Sequence, residues 1–475
     1  MNVVELPIEL LKQRARAGDR EALQTLRDRG AFPASRLPLE CPASWAQQRM
    51  WIAVEKEQPG LSYAIALARR VRGRFDEDAL REAVAALQRR HETLRTRFAE
   101  RDGTLVQIVD PPGNPEFTVL DFRDAENPEA ACRRRLAELA REPIDLRTGP
   151  AWRACLCRLG ATDHVIGLVV HHIIADAWSL DILQHDLVCL YQRSPLLTPL
   201  TSQYRHFAAL QRAADSEQEL AASQRYWREQ LADAPGGLAL PFDAALRASD
   251  SHAGASLQVR IDELRLSALR RLAADRGVTL FAALQATVKV LLHRYCHETD
   301  IVIGTPVAGR EFPDAERQIG LFINLLALRD RLDPDAGFDR LLEQTARTVE
   351  DALAHRKYPF DRLVAEIAAA RRGSDAPLFN VFVTLQNIAP QDTIITDMAV
   401  SDFSLGAVFA EHDLAFEFAE HGGELALTLI YRTARFTAAT IERMARHYGR
   451  LLEGIIADPS MAIAALPLLD GPEQA

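Results

Sequence analysis

Cysteine is scarce in this sequence, and the six that occur, Cys41, Cys132, Cys155, Cys157, Cys189 and Cys296, are scattered along the chain. Cys155 and Cys157 make a CxC pair, but no second cluster completes a zinc site and nothing resembles a disulfide framework. They read as buried thiols of a reducing compartment, and no metal is expected. Long apolar runs are missing too. No stretch reaches the roughly 18 apolar residues of a membrane span, and the opening "MNVVELPIELLKQRARAGD" has no apolar core of the signal-peptide type. A cytoplasmic protein without a membrane partner is expected. Positive charge is in deficit, with 56 Lys and Arg against 66 Asp and Glu and a net charge of -10. That balance argues against nucleic acid as a partner, while leaving room for local basic patches that meet phosphate groups. Several catalytic motifs are absent: GxSxG, HExxH, GxxxxGK[ST] and GxGxxG. Hydrolase, zinc-protease, NTPase and dinucleotide-binding chemistries therefore have no motif to rest on.

What is present is an ordinary globular composition, 48% apolar and 26% charged over 475 residues, a length that favours two domains or lobes. Two short helical patterns occupy residues 5–30, and the Pro-containing "AFPASRLPLECPAS" separates them from the body. Residues 77–98 place Leu80, Ala83, Val84, Leu87 and Leu94 on one helical face. "TLVQIV" (104–109) and "HVIGLVV" (164–170) predict strands, the second apolar enough to be central in a sheet. The second half repeats this grammar. It has a strand over 255–261, a helix ending on the capping glycine of "LSALRRLAADRG", and a long apolar helix "LFAALQATVKVLLHRYC". A strand at 300–310 runs into a glycine-rich turn, a hairpin turns around His421-Gly422-Gly423, and a last helix spans 437–456. The pattern predicts an α/β protein of two similar halves joined near 200–250.

One stretch stands out chemically. In "VVHHIIADAWSLDIL" (169–183) two histidines end an apolar strand, an aspartate follows four residues after the second, and a helix begins directly behind. A buried imidazole without hydrogen bonds costs roughly 1–3 kcal/mol, so such a pair needs partners. Asp176 would orient a ring, pair with an arginine, or share with Ser179 the capping of the following helix. Taken alone, the pair fits an ordinary satisfied core histidine at least as well as a catalytic one.

The rest of the chain bears on that choice. "HHIIADAWS" (His171 to Ser179) resembles the HHxxxDG signature of condensation domains from nonribosomal peptide synthetases, relatives of chloramphenicol acetyltransferase. Six further blocks resemble that family in the correct order: "SWAQQRMW" (44–51), "RHETLRTRF" (90–98), "YRHFAALQR" with "QRYWREQL", "IVIGTPVAGR" with "IGLFINLLALR" (319–329), "HRKYPFDRLV" (355–364) and "RRGSDAPLFNVFVTLQN" (371–387). The resemblance implies two chloramphenicol acetyltransferase-like lobes forming a V-shaped pseudo-dimer with a tunnel at the junction. The corresponding boundaries are a helical extension at 1–35, an N-terminal lobe at 36–205, a connecting helix and linker at 206–250, and a C-terminal lobe with exit linker at 251–475. It implies amide formation between an acceptor amine and a donor thioester, with His172 at the reacting centre and His171 supporting it. Asp176 is implied to be structural and salt-bridged to an arginine, with Arg95 as the expected partner. Ala177 stands where the family usually has glycine; it keeps the backbone N–H, so tuning of the site is expected and not inactivity. Retention of both histidines and of Trp178-Ser179 fits amide formation better than the cyclising, epimerising or inactive variants of the family.

Other motif residues have simpler readings beside their functional ones. Ser44, Asn324 and Ser179 are candidate tunnel residues or backbone caps. Trp51, Phe98, Trp178 and Phe322 are candidate core aromatics, Tyr358-Pro359-Phe360 is a candidate closure of the lobe junction, and Arg310 and Arg329 read as solvated strand ends. No intrinsic cofactor is implied: substrates arrive as phosphopantetheine thioesters on carrier proteins, or as coenzyme A thioesters. The carrier attachment motif DxFFxxGGxS is absent. If Met1 is the natural start, a starter domain is expected, N-acylating the first carrier-bound amino acid from an acyl-CoA. The alternatives are an elongation domain taking a peptidyl carrier from another protein, docked by the N-terminal helices, and a non-catalytic module that recruits carrier proteins. Arg147 in "PIDLRTGPAWR" is the candidate group for the coenzyme A phosphates, or else an exposed loop arginine. A monomer followed by an adenylation domain is expected, with an aminoacyl carrier protein as acceptor.

Overall fold

Alternation of apolar residues along the chain builds the sheets, and the computed structural model describes them over residues 6–28, 38–56, 63–213, 217–243, 252–370, 377–386, 398–406, 408–469 and 473. The chain divides into two units. One comprises Met1–Leu220, Ala308–Ile323 and Pro390–Gly406, and the other Ala221–Val307, Asn324–Ala389 and Ala407–Ala475. Part of the seventh motif block, 371–376 and residue 387, lies outside the described residues.

The first unit is organised around a five-stranded sheet in the order 398–402, 64–73, 163–171, 152–158, 117–121. The strand Asp163–His171 is central and buried at every position after the first, because both its faces are covered. It pairs antiparallel with 64–73 up to Ala64↔His171 and with 152–158 up to Trp152↔Val170. The helix expected over 77–98 stops at Arg90. Asp76 caps its start by accepting from the N–H groups of Asp78 and Ala79, and His91 turns extended at its end. Residues 92–95 then form a single tighter turn, and the chain from Thr96 becomes a strand paired with Thr104–Val109. The N-terminal helices Ile8–Arg16 and Arg20–Asp28 bury Leu11, Ala15, Ala22, Leu23 and Leu26 in the core of this unit. Arg16 reaches the Leu210 carbonyl at 3.2 Å and Arg20 the Asp314 carboxylate at 3.1 Å.

The second unit is built on a seven-stranded sheet, in the order 324–331, 300–307, 381–386, 414–421, 424–432, 253–261, 408–409. The helix Leu280–Cys296 is mostly apolar and buried without a break from Ala282 to His293. The hairpin expected over 414–432 forms with Leu414↔Tyr431 through His421↔Glu424 in register. Gly422 and Gly423 turn it at φ +55 and +89, the left-handed region that a two-residue hairpin turn requires. A lysine lies in this core: Lys289, with no exposed side-chain surface, is 2.5 Å from Asp330, whose carboxylate also accepts from the hydroxyls of Thr345 at 2.9 Å and Thr348 at 2.6 Å.

Candidate active site

The two histidines end the central strand of the first unit and have opposite environments. His171 is buried at 3% exposure. Its backbone N–H donates to the Ala151 carbonyl at 2.9 Å, and its Nδ1 accepts from the Ile173 N–H at 3.0 Å, which puts the proton of the neutral ring on Nε2. Burial, reinforced by the adjacent His172, pulls its pKa down to about 3. His172 is half-buried. Its backbone N–H donates to the Tyr63 carbonyl at 2.7 Å, but neither ring nitrogen has a hydrogen-bond partner among the described residues, and Nδ1 is shielded from solvent. His171 is thus the satisfied core histidine, and His172 the uncommitted one.

Four residues after His172 the chain turns into the helix Ala177–Tyr191, capped by Asp176. Asp176 Oδ1 accepts from the Ser179 N–H at 2.9 Å and the Ser179 hydroxyl at 2.7 Å. The same oxygen meets Arg310 Nη2 at 2.6 Å, and Oδ2 accepts from the Phe322 N–H at 3.1 Å. Both partners of the ion pair are 4% exposed, so each compensates a charge that would be costly alone. Burial depresses the Arg310 pKa, and Asp176 opposes that shift. The guanidinium lies over the rings of Phe322, 4.5 Å from the centroid, and Trp178, 5.4 Å away. Ser179 closes the far side against Gly320, its hydroxyl oxygen accepting from the Gly320 N–H at 3.1 Å and lying 2.9 Å from the Gly320 carbonyl oxygen. The loop bearing His172 and the start of its helix are therefore anchored to 310–322, within one unit, through Arg310, Glu316, Gly320 and Phe322. Ala177, the first helical residue, is exposed, so its methyl group points away from this packing.

A family model described as the condensation domain matches residues 39–475. The chain belongs to the condensation-domain family. It is 37% identical over 442 residues to one component of the linear gramicidin synthase of Brevibacillus parabrevis, covering 91% of this chain and 6% of that relative. It is 35% identical over 438 residues to a phosphinothricin tripeptide synthetase of Streptomyces viridochromogenes, covering 90% and 40%. The chain thus spans less than half the length of these relatives. Among solved structures, the X-domain from teicoplanin biosynthesis matches with a TM-score of 0.82 at 28% identity, covering 92% of this chain and 99% of that one. The expected α/β condensation-domain fold is the one these structures share, and the family is that of nonribosomal peptide synthetase condensation domains.

Within this condensation domain the expected partner of Asp176 needs correction. Arg95 closes the turn 92–95, where it donates to the Asp110 carbonyl and lies 3.7 Å from Glu92; the cation at Asp176 is Arg310. Arg310 and Arg329 are not solvated strand ends. Arg329 is 6% exposed, 2.6 Å from Asp300, and donates to the carbonyls of Gln230 and Asp233. Ser44 is a cap: its hydroxyl accepts from the Gln47 N–H at 3.1 Å, and Gln47 Oε1 accepts from the Ser44 N–H at 3.0 Å, a reciprocal capping box. The Ser44 hydroxyl also accepts from Tyr204 at 2.8 Å. Asn324, in the second unit, spends its amide on the carbonyls of Arg356 and Tyr358 and the N–H of Phe360, so it shapes the 356–360 turn. Ser179 likewise has its hydroxyl fully engaged in the anchor. Trp51, Phe98 and Phe322 are buried core aromatics, whereas Trp178 is half-buried and donates to the Glu316 carbonyl at 3.3 Å. Arg147 is paired with Glu55 at 2.8 Å and lies 4.7 Å from the Trp51 ring centroid.

Among the described residues no helix is long and apolar enough to cross a membrane.

Proposed function

We propose that this condensation domain forms an amide bond between two carrier-bound substrates, a donor acyl thioester and an acceptor aminoacyl thioester. The observation that carries this reading is the His172 ring. It lies four residues before a rigidly anchored aspartate, is half-buried, and makes no ring hydrogen bond among the described residues. A neutral imidazole so placed accepts a proton from, or orients, the attacking amine. The amine nitrogen bonds to the thioester carbon and its proton passes to His172; the carbon–sulfur bond then breaks, and the departing sulfur takes that proton from His172 to leave as the thiol. His171, held neutral by burial, adds no charge beside the reacting ring. The Asp176–Arg310 pair is architectural, since both carboxylate oxygens are engaged, Oδ1 with the helix cap and Arg310 and Oδ2 with the Phe322 N–H.

A carrier-bound donor is favoured over acyl-CoA because Arg147, the residue singled out in the sequence for the coenzyme A phosphates, already pairs with Glu55 at 2.8 Å. A phosphate would have to displace that carboxylate. Partner carrier and adenylation domains are inferred from the same reading.

The test is condensation by the purified chain, followed by intact mass of the acceptor carrier. An aminoacyl acceptor carrier is offered with a peptidyl carrier, an acyl carrier or octanoyl-CoA as donor. Product from the carrier-bound donors is expected, and His172→Ala should slow it about 100- to 10,000-fold, the usual contribution of a positioned acid–base group. Product from octanoyl-CoA alone would restore the starter reading. Tight carrier binding without product from any donor would point to a recruiting module.

A further inference from the structure

The short turn that carries His172 has its backbone held by side chains at both polar groups of Ile173. The Ile173 N–H donates to His171 Nδ1 at 3.0 Å, and the Ile173 carbonyl accepts from Gln47 Nε2 at 3.3 Å. The turn spans only His172–Ile174, and the chain is extended again at Ala175. A donor for that carbonyl therefore has to come from elsewhere in the fold, and Gln47 supplies it across 126 residues of chain. Neither Gln47 nor Ile173 has exposed surface, so a carbonyl that lost this donor would have no water to replace it. Gln47 stands on a fixed base within the same unit. At the start of its helix, Trp45–Lys56, the Trp45 N–H donates to Gln211 Oε1 at 3.0 Å. Just ahead of the helix, Arg212 donates to the Ala43 carbonyl at 2.8 Å.

The capping box of this helix uses only one end of the Gln47 amide. Its oxygen accepts from the Ser44 N–H, a duty that glutamate performs equally well. What glutamine adds is an N–H donor, and that donor goes to the histidine turn. The two partners also fix which end of the amide is which, because the Ser44 N–H needs an acceptor and the Ile173 carbonyl a donor. We propose that Gln47 is a positioning residue for His172. By holding the Ile173 carbonyl it fixes the peptide that follows the histidine, and with it the direction in which the ring projects. The clamp is separate from the Asp176–Arg310 pair: it reaches the turn from the helix Trp45–Lys56, whereas the ion pair secures the chain beyond the turn to 310–322. Its importance for the reaction rests on the role given to His172 above.

The test reads the ring and the reaction separately. Histidine rings of the full chain are labelled with carbon-13 for NMR, and the His172 signal is assigned by its loss in His172→Ala. In Gln47→Met, unbranched and of similar length, that signal is expected to shift or broaden. In condensation between carrier-bound substrates, kcat should fall about tenfold with KM for both carriers unchanged, because the ring meets the same substrates in a wrong pose. Asn127→Ala is the control for a merely structural effect: it removes the cap of the helix Pro128–Arg141 in the same unit. It should lower the urea midpoint while leaving kcat and the His172 signal as in the wild type. If Gln47→Met does not fold, Gln47→Asn, whose amide is one methylene short of the turn, is read in the same way. A His172 signal that the Gln47 variant leaves in place, a loss carried by KM, or an equal fall of kcat in Asn127→Ala overturns the assignment. If His172→Ala condenses at the wild-type rate while the His172 signal still depends on Gln47, the role of His172 in the reaction fails and the clamp stands.

Discussion

His171 and His172 are neighbours in sequence, yet the fold gives them different proton chemistry. The folded His171 ring is held neutral down to about pH 3, whereas in the unfolded chain it titrates near 6.5. The unfolded state therefore binds the proton first as pH drops. The ring's share of stability is complete above about pH 6.5 and is lost as pH falls toward 3, by about 1.4 kcal/mol for each pH unit. His171→Asn keeps an acceptor for the Ile173 N–H and removes the titration. Urea unfolding at pH 7, 6 and 5 should show a shallower decline in this variant than in the wild type. The motif HHxxxD was legible in the sequence, and so was the structural part of Asp176. Its cation was not. Arg310 lies 134 residues downstream, and no local pattern distinguishes a buried strand-end arginine from a solvated one. Arg95 was attractive because it sits in a motif block, but its turn aims it at Asp110 and Glu92.

At the level of elements, periodicity located most strands and helices, including the central strand and the hairpin 414–432, because their burial alternates or runs with the backbone repeat. It failed where a turn outweighs pattern. Leu94 continues the apolar stripe of 77–90, but the chain has already left the helix at His91. The sequence sets the N-terminal helices apart as an extension, yet five of their side chains join the core of the first unit. The segment 308–323, which anchors the histidine loop, depends on Gly309. Its φ is +61, and an added Cβ would stand 2.1 Å from the Phe322 carbonyl oxygen. The left-handed backbone alone makes Gly309→Ala cost about 1–3 kcal/mol, and the contact displaces either Arg310 or Phe322, both of which hold Asp176. This variant is expected to lose stability in urea and condensation rate together, with the rate falling more than stability explains.

Across the whole molecule, each unit has its own core, and each holds a buried ion pair of high stakes, Asp176–Arg310 in the first and Lys289–Asp330 in the second. Removing one partner of Lys289–Asp330 strands a charge in the second unit, so Lys289→Ala should cost about 3–5 kcal/mol in chemical denaturation. The double variant Lys289→Met with Asp330→Leu should recover much of that loss, because apolar residues of similar volume often replace such pairs without penalty. Composition and length suggested two halves, but the contiguous cut that sequence favours omits 308–323 and 390–406, whose places in the first unit follow from tertiary contacts alone. The strand 398–402, for instance, completes the edge of its five-stranded sheet. That interleaving has a consequence during synthesis on the ribosome. The histidine loop emerges long before the arginine that locks it and the strand that closes its sheet, so a nascent chain stopped after residue 220 carries the His172 ring on an unfinished scaffold. The five-stranded sheet of the first unit is complete only once residue 402 has been synthesised, and until then the edge of the strand 64–73 has no partner from 398–402.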